Sequence, residues 1–318
     1  MANLLYHVFT FLGLFSYGLY HLISAVRSHH TSSSSAAATT SPRLAVATEH
    51  AARPYYPLAL PAHRHHLLRH LPLYISFLSL FVAVVANVLL SAGDARADAQ
   101  RFSFLESAFA LLLFLLSLSL TLSLPLPTDL IFLLAALAFA LLSAASAHSS
   151  AVGQQSELQS KSDALSSLIF SVSAATALAL AVAPRLFIAE LALSASVALQ
   201  GLWSLQTGFS LYVEAFIPEG CHRLLGVPYI STSCDLEDSR IRAFAILDLL
   251  FTVHAILIAV VTSIVYVSLN PAPVVVGGLV RRHNGGSYEA LTTLSSTGAL
   301  SDMDHIQMKV LSKSSTQA

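Results

Sequence analysis

The chain has 318 residues, of which 55% are hydrophobic and only 10% are charged, with a net charge of −1 at pH 7 and a mean hydropathy of +0.70. A water-soluble protein of this length needs more charged residues to cover its surface, so the composition excludes one. The near-zero net charge gives no electrostatic basis for binding nucleic acid, and we expect no nucleic-acid partner.

Long apolar runs fill most of the chain and determine the predicted fold class. Each run is close to or longer than the roughly 20 residues that a helix needs to cross about 30 Å of hydrocarbon. Backbone polar groups in lipid must be paired within the segment, so the runs predict helices. We therefore predict an all-α membrane protein, a bundle of seven transmembrane helices in contact with the lipid bilayer. The seven predicted spans, numbered in chain order, cover residues 4–26, 72–92, 102–124, 129–147, 164–183, 186–213 and 243–269.

The spans form one predicted membrane domain over residues 1–276, because no polar stretch is long enough for an independent core. Span 1 lacks a basic start and is long for a signal sequence, so we expect it to be retained as a helix. Residues 28–60 begin with a Ser-, Ala- and Thr-rich stretch and are predicted to be a disordered cytosolic loop. Residues 277–318 are predicted to be a disordered cytosolic tail.

The distribution of Lys and Arg predicts the orientation of the bundle. Ten of these residues fall on the side that holds the loop between spans 1 and 2 and the C-terminal tail, against six on the opposite side. Cytosolic segments carry an excess of positive charge, so we predict the N-terminus outside and the C-terminus inside. Arg27, directly after span 1, agrees with this orientation.

The only two cysteines, Cys221 and Cys234, both lie in the loop between spans 6 and 7. That loop is exofacial in the predicted orientation, where disulfides persist. We predict a bridge between them, which closes a short loop and is worth roughly 3 kcal/mol in the chain-entropy model. The alternative is two unrelated thiols.

Three motifs resemble the transmembrane protein 45 family, a family of unknown function with seven predicted helices. In span 6 the most specific of them is Gln200-Gly201-Leu202-Trp203-Ser204-Leu205-Gln206-Thr207-Gly208-Phe209, followed by Leu211-Tyr212. Span 1 has His7, Gly13 and Gly18-Leu19-Tyr20-His21, and span 7 has Phe251-Thr252-Val253-His254, similar to an aromatic-x-x-His pattern. The resemblance is strongest to plant members and implies the fold without implying an activity.

The chain departs from that family at two histidine-rich stretches. The family has a His-Asn-x-Glu-His run at the start of span 3, of which only Glu106 stands here. A second His-rich stretch, after span 4, is represented by His148 and Gly153. If the histidines of relatives bind a metal, this chain lacks most of the ligands, and we expect no metal and no cofactor.

Polar and ionisable residues within spans cost free energy and are therefore candidate functional residues. We interpret one group of them as a polar cavity open to the exofacial side. The alternative is that they only hydrogen-bond the helices together, at about 0.6 kcal/mol each. The candidate cavity residues are His7, Glu106, His148, Gln200, Gln206, Asp248 and His254, while His21 and Glu190 lie toward the cytosol. Four of the candidates are expected to face the bundle interior rather than lipid: His7, Glu106, Asp248 and His254.

Sequence motifs typical of hydrolases and of nucleotide-binding enzymes are absent, so we predict that the protein is not an enzyme. The leading hypothesis is a membrane protein of the endomembrane system or plasma membrane that acts through protein partners or in trafficking. A small-solute or ion transporter or channel is the alternative, and a membrane-embedded hydrolase ranks third.

Two further segments suggest what the cytosolic regions contact. The basic, histidine-rich stretch 63–70 is interpreted as contacting the anionic cytosolic leaflet in preference to binding a metal. Tyr288 and Leu291 match a tyrosine-based sorting signal in the tail, a form of peptide that adaptors bind as an added strand. The loop and the tail are therefore the regions through which we expect protein partners to bind.

Overall fold

The computed structural model describes residues 2–38, 51–58, 66–92, 98–124, 126–152, 156–223 and 232–269. Eight α-helices lie within these residues, and seven of them are long and apolar enough to cross a membrane; α2 is a single turn. The helices are α1 (Ala2–Ala38), α2 (His66–Arg69), α3 (Leu71–Ser91), α4 (Asp98–Ser123), α5 (Thr128–Val152), α6 (Glu157–Val182), α7 (Phe187–Tyr212) and α8 (Glu237–Leu269).

The seven predicted spans correspond to α1 and α3 to α8, which confirms an integral membrane protein with seven long apolar helices. Two helices begin well before the predicted spans. Helix α6 starts at Glu157, where the Ser156 hydroxyl accepts a hydrogen bond from the Gln159 backbone N–H, and α8 starts at Glu237 with two acidic residues in its first turn. Both starts are polar helix-capping sequences, which an apolar-run criterion excludes although the helix continues through them.

Six of the long helices form a ring, in which α1 contacts α7 and successive neighbours connect α7 through α6, α5 and α4 to α3. The ring closes between α1 and α3, the neighbouring pair with the fewest contacts. Helix α8 lies outside the ring and packs on α1, α6 and α7. The arrangement therefore has an inner space bounded by six helices and one peripheral helix.

Helices α1 and α7 approach each other closely because glycines face the partner backbone. A Cβ atom built on Gly18 would lie 2.7 Å from the Ala198 backbone nitrogen, and one built on Gly201 would lie 2.6 Å from the Phe15 backbone nitrogen. Small residues at a helix interface let the backbones come together, which is a common source of stability in membrane bundles. The α1–α7 pair is thus the tightly packed side of the ring.

The main apolar core lies where α6, α7 and α8 meet, around Trp203. The Trp203 side chain is 0% exposed, and its indole N–H donates a 3.1 Å hydrogen bond to the Ser162 carbonyl of α6. Its ring stands edge-on to Phe251 of α8 at a centroid distance of 5.5 Å. This one residue therefore joins three helices.

A short β-hairpin follows α7 and departs from the all-α prediction. Strand β1 (Cys221–Arg223) pairs antiparallel with β2 (Thr232–Cys234), with Cys221 directly opposite Cys234. The two cysteines are joined by a disulfide with an S–S distance of 2.05 Å. Both sulfur-bearing residues pack against the Trp203 core, so the hairpin is held to the ends of α6 and α8.

The structure differs from the predicted disordered loop over 28–60 at both ends. Helix α1 continues to Ala38, and residues 51–58 lie against the bundle. The backbone N–H of Ala52 donates to the Pro184 carbonyl at 2.7 Å, and that of Leu58 donates to the Arg69 carbonyl at 2.9 Å. These backbone hydrogen bonds are a source of order that composition does not reveal. The predicted tail 277–318, with Tyr288 and Leu291, lies outside the described residues.

Candidate functional site

A cavity of about 1230 Å³ lies inside the six-helix ring. Residues from α1, α3, α4, α5, α6 and α7 line it, and residues 54–58 lie at one of its ends. Helix α8 contributes none of the described lining residues. The volume is above the roughly 300–1,000 Å³ of most small-molecule sites, so the space is large enough for a lipid-sized molecule.

One wall of the cavity is polar and is formed by α1 and α7. Along α7 the lining residues recur every three or four positions, which places them on one helix face. From α1, His7 and His21 lie opposite this face, and the His7 Nδ1 atom is 3.3 Å from the Ser204 hydroxyl oxygen. The polar α7 residues in this wall are Ser194, Gln200, Ser204 and Thr207.

The wall formed by α3, α4 and α5 is mainly apolar. Several serines and threonines also line it, but Ser117 and Thr121 donate their hydroxyl protons to carbonyls of their own helix. Because each hydroxyl already donates to the backbone of its own helix, these residues add little polar character to the wall. The apolar lining side chains of this wall include Leu80, Leu111, Phe114, Leu118, Phe139 and Leu142. The cavity as a whole is therefore amphipathic.

Two side chains of the polar wall lack a hydrogen-bond partner within the described protein. The Gln200 Oε1 atom and the Thr207 Oγ1 atom are both buried and unpaired, in residues that are only 8% and 6% exposed. A buried polar atom without a partner costs about 1–3 kcal/mol, and most native proteins avoid it. Both residues line the cavity, so the unpaired oxygens lie in its polar wall, covered by neighbouring atoms.

The cavity end near the start of α1 has a second set of paired polar groups. The Asn87 side-chain amide of α3 donates to the Tyr6 hydroxyl of α1 at 3.0 Å, and the Ser149 hydroxyl donates to the Asp163 Oδ2 atom at 2.6 Å. The first of these hydrogen bonds crosses the weakly packed α1–α3 side of the ring.

The opposite end is closed by residues 51–58, which we call the strap. The Tyr56 hydroxyl of the strap donates a 2.6 Å hydrogen bond to the Oε1 atom of Glu190, which is 0% exposed. Nearby, His21 contacts the Ser194 hydroxyl at 3.0 Å and the Arg53 carbonyl oxygen at 3.2 Å. Burial, with the Glu190 carboxylate beside it, raises the pKa of Tyr56 well above its usual range, so Tyr56 stays a neutral donor.

Tyr56→Phe is expected to lower the free energy of unfolding by about 1–3 kcal/mol, because it removes a hydrogen bond from a buried carboxylate. Thermal unfolding in detergent measures the effect. Tyr74→Phe is the matched control, since Tyr74 is 44% exposed on α3. Equal shifts for the two variants would contradict a specific role for the strap tyrosine.

The structure brings only two of the seven predicted cavity residues, His7 and Gln200, to the cavity wall. Gln206 lies on the same helix as Gln200 but is not among the lining residues, and its amide donates to the Ser210 hydroxyl at 3.0 Å. Glu106 and His148 contact each other at 3.4 Å outside the described cavity lining, with side chains 35% and 69% exposed.

The two predicted residues on α8 do not share a cavity with the others. The Asp248 carboxylate forms a 2.8 Å ion pair with Lys161, and its side chain is 52% exposed. The His254 Nδ1 atom lies 2.6 Å from the Leu250 carbonyl oxygen of its own helix. The predicted cavity therefore loses Asp248 and His254, because α8 lies outside the ring. His254 does face the bundle as predicted, with its ring centroid 6.4 Å from that of the buried Trp203, whereas Asp248 is half-exposed.

Neither the predicted lipid-contact stretch nor any group of metal-ligating side chains forms a second candidate site in the part of the chain that the structure describes. Of the stretch 63–70, residues His66–Arg69 form α2, and the His70 Nδ1 atom is 3.2 Å from the Tyr55 hydroxyl. Within the described residues, no three His, Cys, Asp or Glu side chains lie close enough to hold a metal ion.

Sequence reasoning missed the strap, because Tyr56 lies in a segment without periodicity, and it missed Thr207 as a cavity residue. The signal for Thr207 was present: Gln200, Ser204 and Thr207 recur with helical spacing on the span that also carries the close-packing glycines.

Comparison with known proteins yields one match. The model of a family described as "Family of unknown function (DUF716)" matches residues 128–267, which include α5 to α7 and most of α8. The match covers less than half of the chain and leaves out α1, α3 and α4, which complete the cavity wall. Neither the curated proteins nor the solved structures include a match to this chain. The chain is thus an integral membrane protein whose second half is similar to a family of uncharacterised activity.

Proposed function

We propose that this protein is a non-enzymatic member of the DUF716 family that binds an amphipathic small molecule inside its helix ring. The observation that carries the proposal is the cavity itself, where an apolar wall faces a polar wall that holds the unpaired Gln200 and Thr207 oxygens. The resemblance to the transmembrane protein 45 family, which belongs to the DUF716 family, supports the family assignment over the helices outside the matched region.

Binding is favoured over transport by the continuity of the helices. Many transporters place their substrate where a helix is interrupted, so that free backbone groups coordinate it. In the described residues each of the seven long helices runs unbroken along its length. A bound molecule that is held, presented or sensed is therefore a better fit to this geometry than a solute or ion that crosses the membrane.

The binding proposal is tested by native mass spectrometry of protein purified in a mild detergent. We expect a co-purified small molecule, and we expect the double variant Gln200→Leu/Thr207→Val to lose most of it, since the variant removes both unpaired oxygens. Gln206→Leu is the matched control, because Gln206 is on the same helix but outside the described cavity lining. Retention of the co-purified molecule by the double variant would overturn the proposal.

We further propose that the N-terminus is outside and the C-terminus is in the cytosol, in either the endomembrane system or the plasma membrane. The Lys and Arg distribution supports this orientation, and so does the disulfide, because disulfides persist on the exofacial side. Protein partners acting through the cytosolic tail, with Tyr288 and Leu291 as a sorting signal, belong to the same proposal.

Protease added to sealed right-side-out vesicles is expected to remove a tag placed before Met1 and to spare a tag placed after Ala318. A permeabilised sample, in which both tags are cleaved, is the control for tag accessibility. Cleavage of the C-terminal tag alone in intact vesicles would reverse the orientation.

A further inference from the structure

We infer that the molecule bound in the cavity is an uncharged lipid with a hydroxyl-bearing head group, which enters from the bilayer between α1 and α3. The inference rests on the proposed function and specifies its ligand. Three independent features of the cavity carry it: the charge of its walls, the position of its opening and the chemistry of its unpaired atoms.

The walls offer no counter-ion for an anionic head group. No lysine or arginine is among the described residues that line the cavity. The two lining histidines are already held by the protein, His7 by Ser204 and His21 by Ser194 and the Arg53 carbonyl. Burying a phosphate or carboxylate without a paired charge is strongly unfavourable, so these walls exclude an acidic lipid.

The walls also offer little to a cationic amphiphile. Among the described lining residues there is one carboxylate, Asp163, which accepts a hydrogen bond from Ser149 at the cavity end near the start of α1. Glu190 is fully buried behind the strap, bonded to Tyr56, and does not line the cavity. An uncharged ligand is what remains.

We place the opening of the cavity between α1 and α3, the neighbouring helices of the ring with the least packing between them. Leu12 of α1 and Ile75 of α3 both line the cavity, yet each is 56% exposed. Gly13, next to Leu12 on α1, also lines the cavity, and a Cβ atom built on it would meet nothing within 4 Å. An opening with an apolar rim at membrane depth favours a molecule already dissolved in the bilayer over a hydrated solute.

The unpaired atoms specify the head group. The Gln200 Oε1 atom accepts a hydrogen bond, and the Thr207 hydroxyl both donates and accepts. The two residues are seven positions apart on one helix face, about 10 Å along the axis, with Ser204 and its His7 contact between them. A hydroxyl group both donates and accepts, so it can pair with either residue, though at this separation a single hydroxyl reaches only one of them. Sterols, diacylglycerols and ceramides share this chemistry and have a length of apolar body that suits the cavity.

The test compares uncharged lipids with charged lipids of related structure. Purified, delipidated protein in nanodiscs is exposed to photoactivatable analogues of a sterol, a diacylglycerol and a ceramide. Phosphatidic acid, which is diacylglycerol with a phosphate, and sphingosine, which is a cationic relative of ceramide, are the charged controls. We expect the cavity to be labelled more than ten times as strongly by at least one uncharged lipid as by its charged counterpart. For the sterol, the comparison is with both phosphatidic acid and sphingosine.

Variants locate the binding site and the route to it. One of Gln200→Leu and Thr207→Val, at the residue that pairs with the hydroxyl, is expected to weaken the labelling about tenfold, the effect of one lost hydrogen bond in a buried site, while Gln206→Leu leaves it unchanged. Gly13→Phe, which fills the open space at the α1–α3 opening, is expected to slow labelling from the bilayer at least tenfold, and Gly13→Ala is its control.

The outcomes separate this inference from the proposed function. Labelling of the cavity by phosphatidic acid or sphingosine as strong as that by the uncharged lipids would overturn the inference, while the cavity would remain a binding site. Unchanged labelling kinetics in Gly13→Phe would overturn the proposed route. A protein that carries no co-purified molecule and is labelled by none of the five lipids would overturn the proposed function as well.

Discussion

Gly201→Ala is expected to destabilise the bundle by about 2–3 kcal/mol, although it adds a single methyl group. The new Cβ atom would lie 2.6 Å from the Phe15 backbone nitrogen, and a backbone atom cannot move aside as a flexible side chain does. The helices would have to separate, with loss of packing along the whole α1–α7 contact, and overpacking of this kind costs about 1–3 kcal/mol at ordinary core positions. Gly18→Ala, which meets the Ala198 backbone at 2.7 Å, is expected to behave in the same way.

Gly13→Ala is the matched control for these two variants, because nothing lies within 4 Å of the added atom. We expect it to leave stability unchanged or to raise it slightly, since alanine is the better helix former. Thermal unfolding in detergent can be followed by the fluorescence of Trp203, the only tryptophan. If Gly13→Ala destabilises as strongly as Gly201→Ala, helix propensity rather than close packing governs the glycines.

The membrane-spanning helices could be predicted from the sequence because span length and apolar content are local properties. Hydrocarbon thickness sets the length, and the need to pair every backbone group in lipid sets the secondary structure. The helix starts at Ser156 and Glu237 were missed because these polar residues extend the helices beyond the apolar segments from which the spans were predicted.

The positions of the helices in the ring could not be predicted from single spans. One property of the sequence does correlate with position in the ring, namely the apolar content of each span. Helix α7 is the least apolar of the seven long helices and also the most buried. Helix α8 is the most apolar and lies outside the ring. Inside a bilayer, polar surface is driven toward the bundle interior. Comparison between spans would therefore have indicated that Gln200 belongs to the interior and that Asp248 does not.

Some residues of the candidate site could be predicted from the sequence of a single span, and others could not. His7 and Gln200 could be found because an intramembrane polar residue stands out against its neighbours. Tyr56 could not be found, because a tyrosine in a segment without periodicity carries no sign of the buried Glu190 that it bonds, 134 positions away in the chain. Asp248 was misplaced because its partner is Lys161 near the start of α6, an ion pair that only the packing of α8 brings together.

Trp203→Ala is expected to have the largest effect of any single truncation, a loss of about 3–5 kcal/mol of stability. The residue is 0% exposed at the junction of α6, α7 and α8, so its removal leaves a cavity that the surrounding helices fill only in part. It also leaves the Ser162 carbonyl without the indole N–H that it accepts at 3.1 Å. Trp203→Phe keeps most of the volume and loses only that hydrogen bond, so we expect a smaller loss, near 1 kcal/mol.

Because these variants lack the only tryptophan, their unfolding is measured by circular dichroism of the helices in detergent. Phe109→Ala is the matched control, since Phe109 is an aromatic residue of α4 that is 66% exposed toward the lipid side of the ring. Losses in the order Trp203→Ala, Trp203→Phe, Phe109→Ala would show that the three-helix junction depends on packing first and on the indole hydrogen bond second. Equal losses for Trp203→Ala and Phe109→Ala would mean that truncating any large aromatic residue has the same cost, and that Trp203 is not the centre of the core.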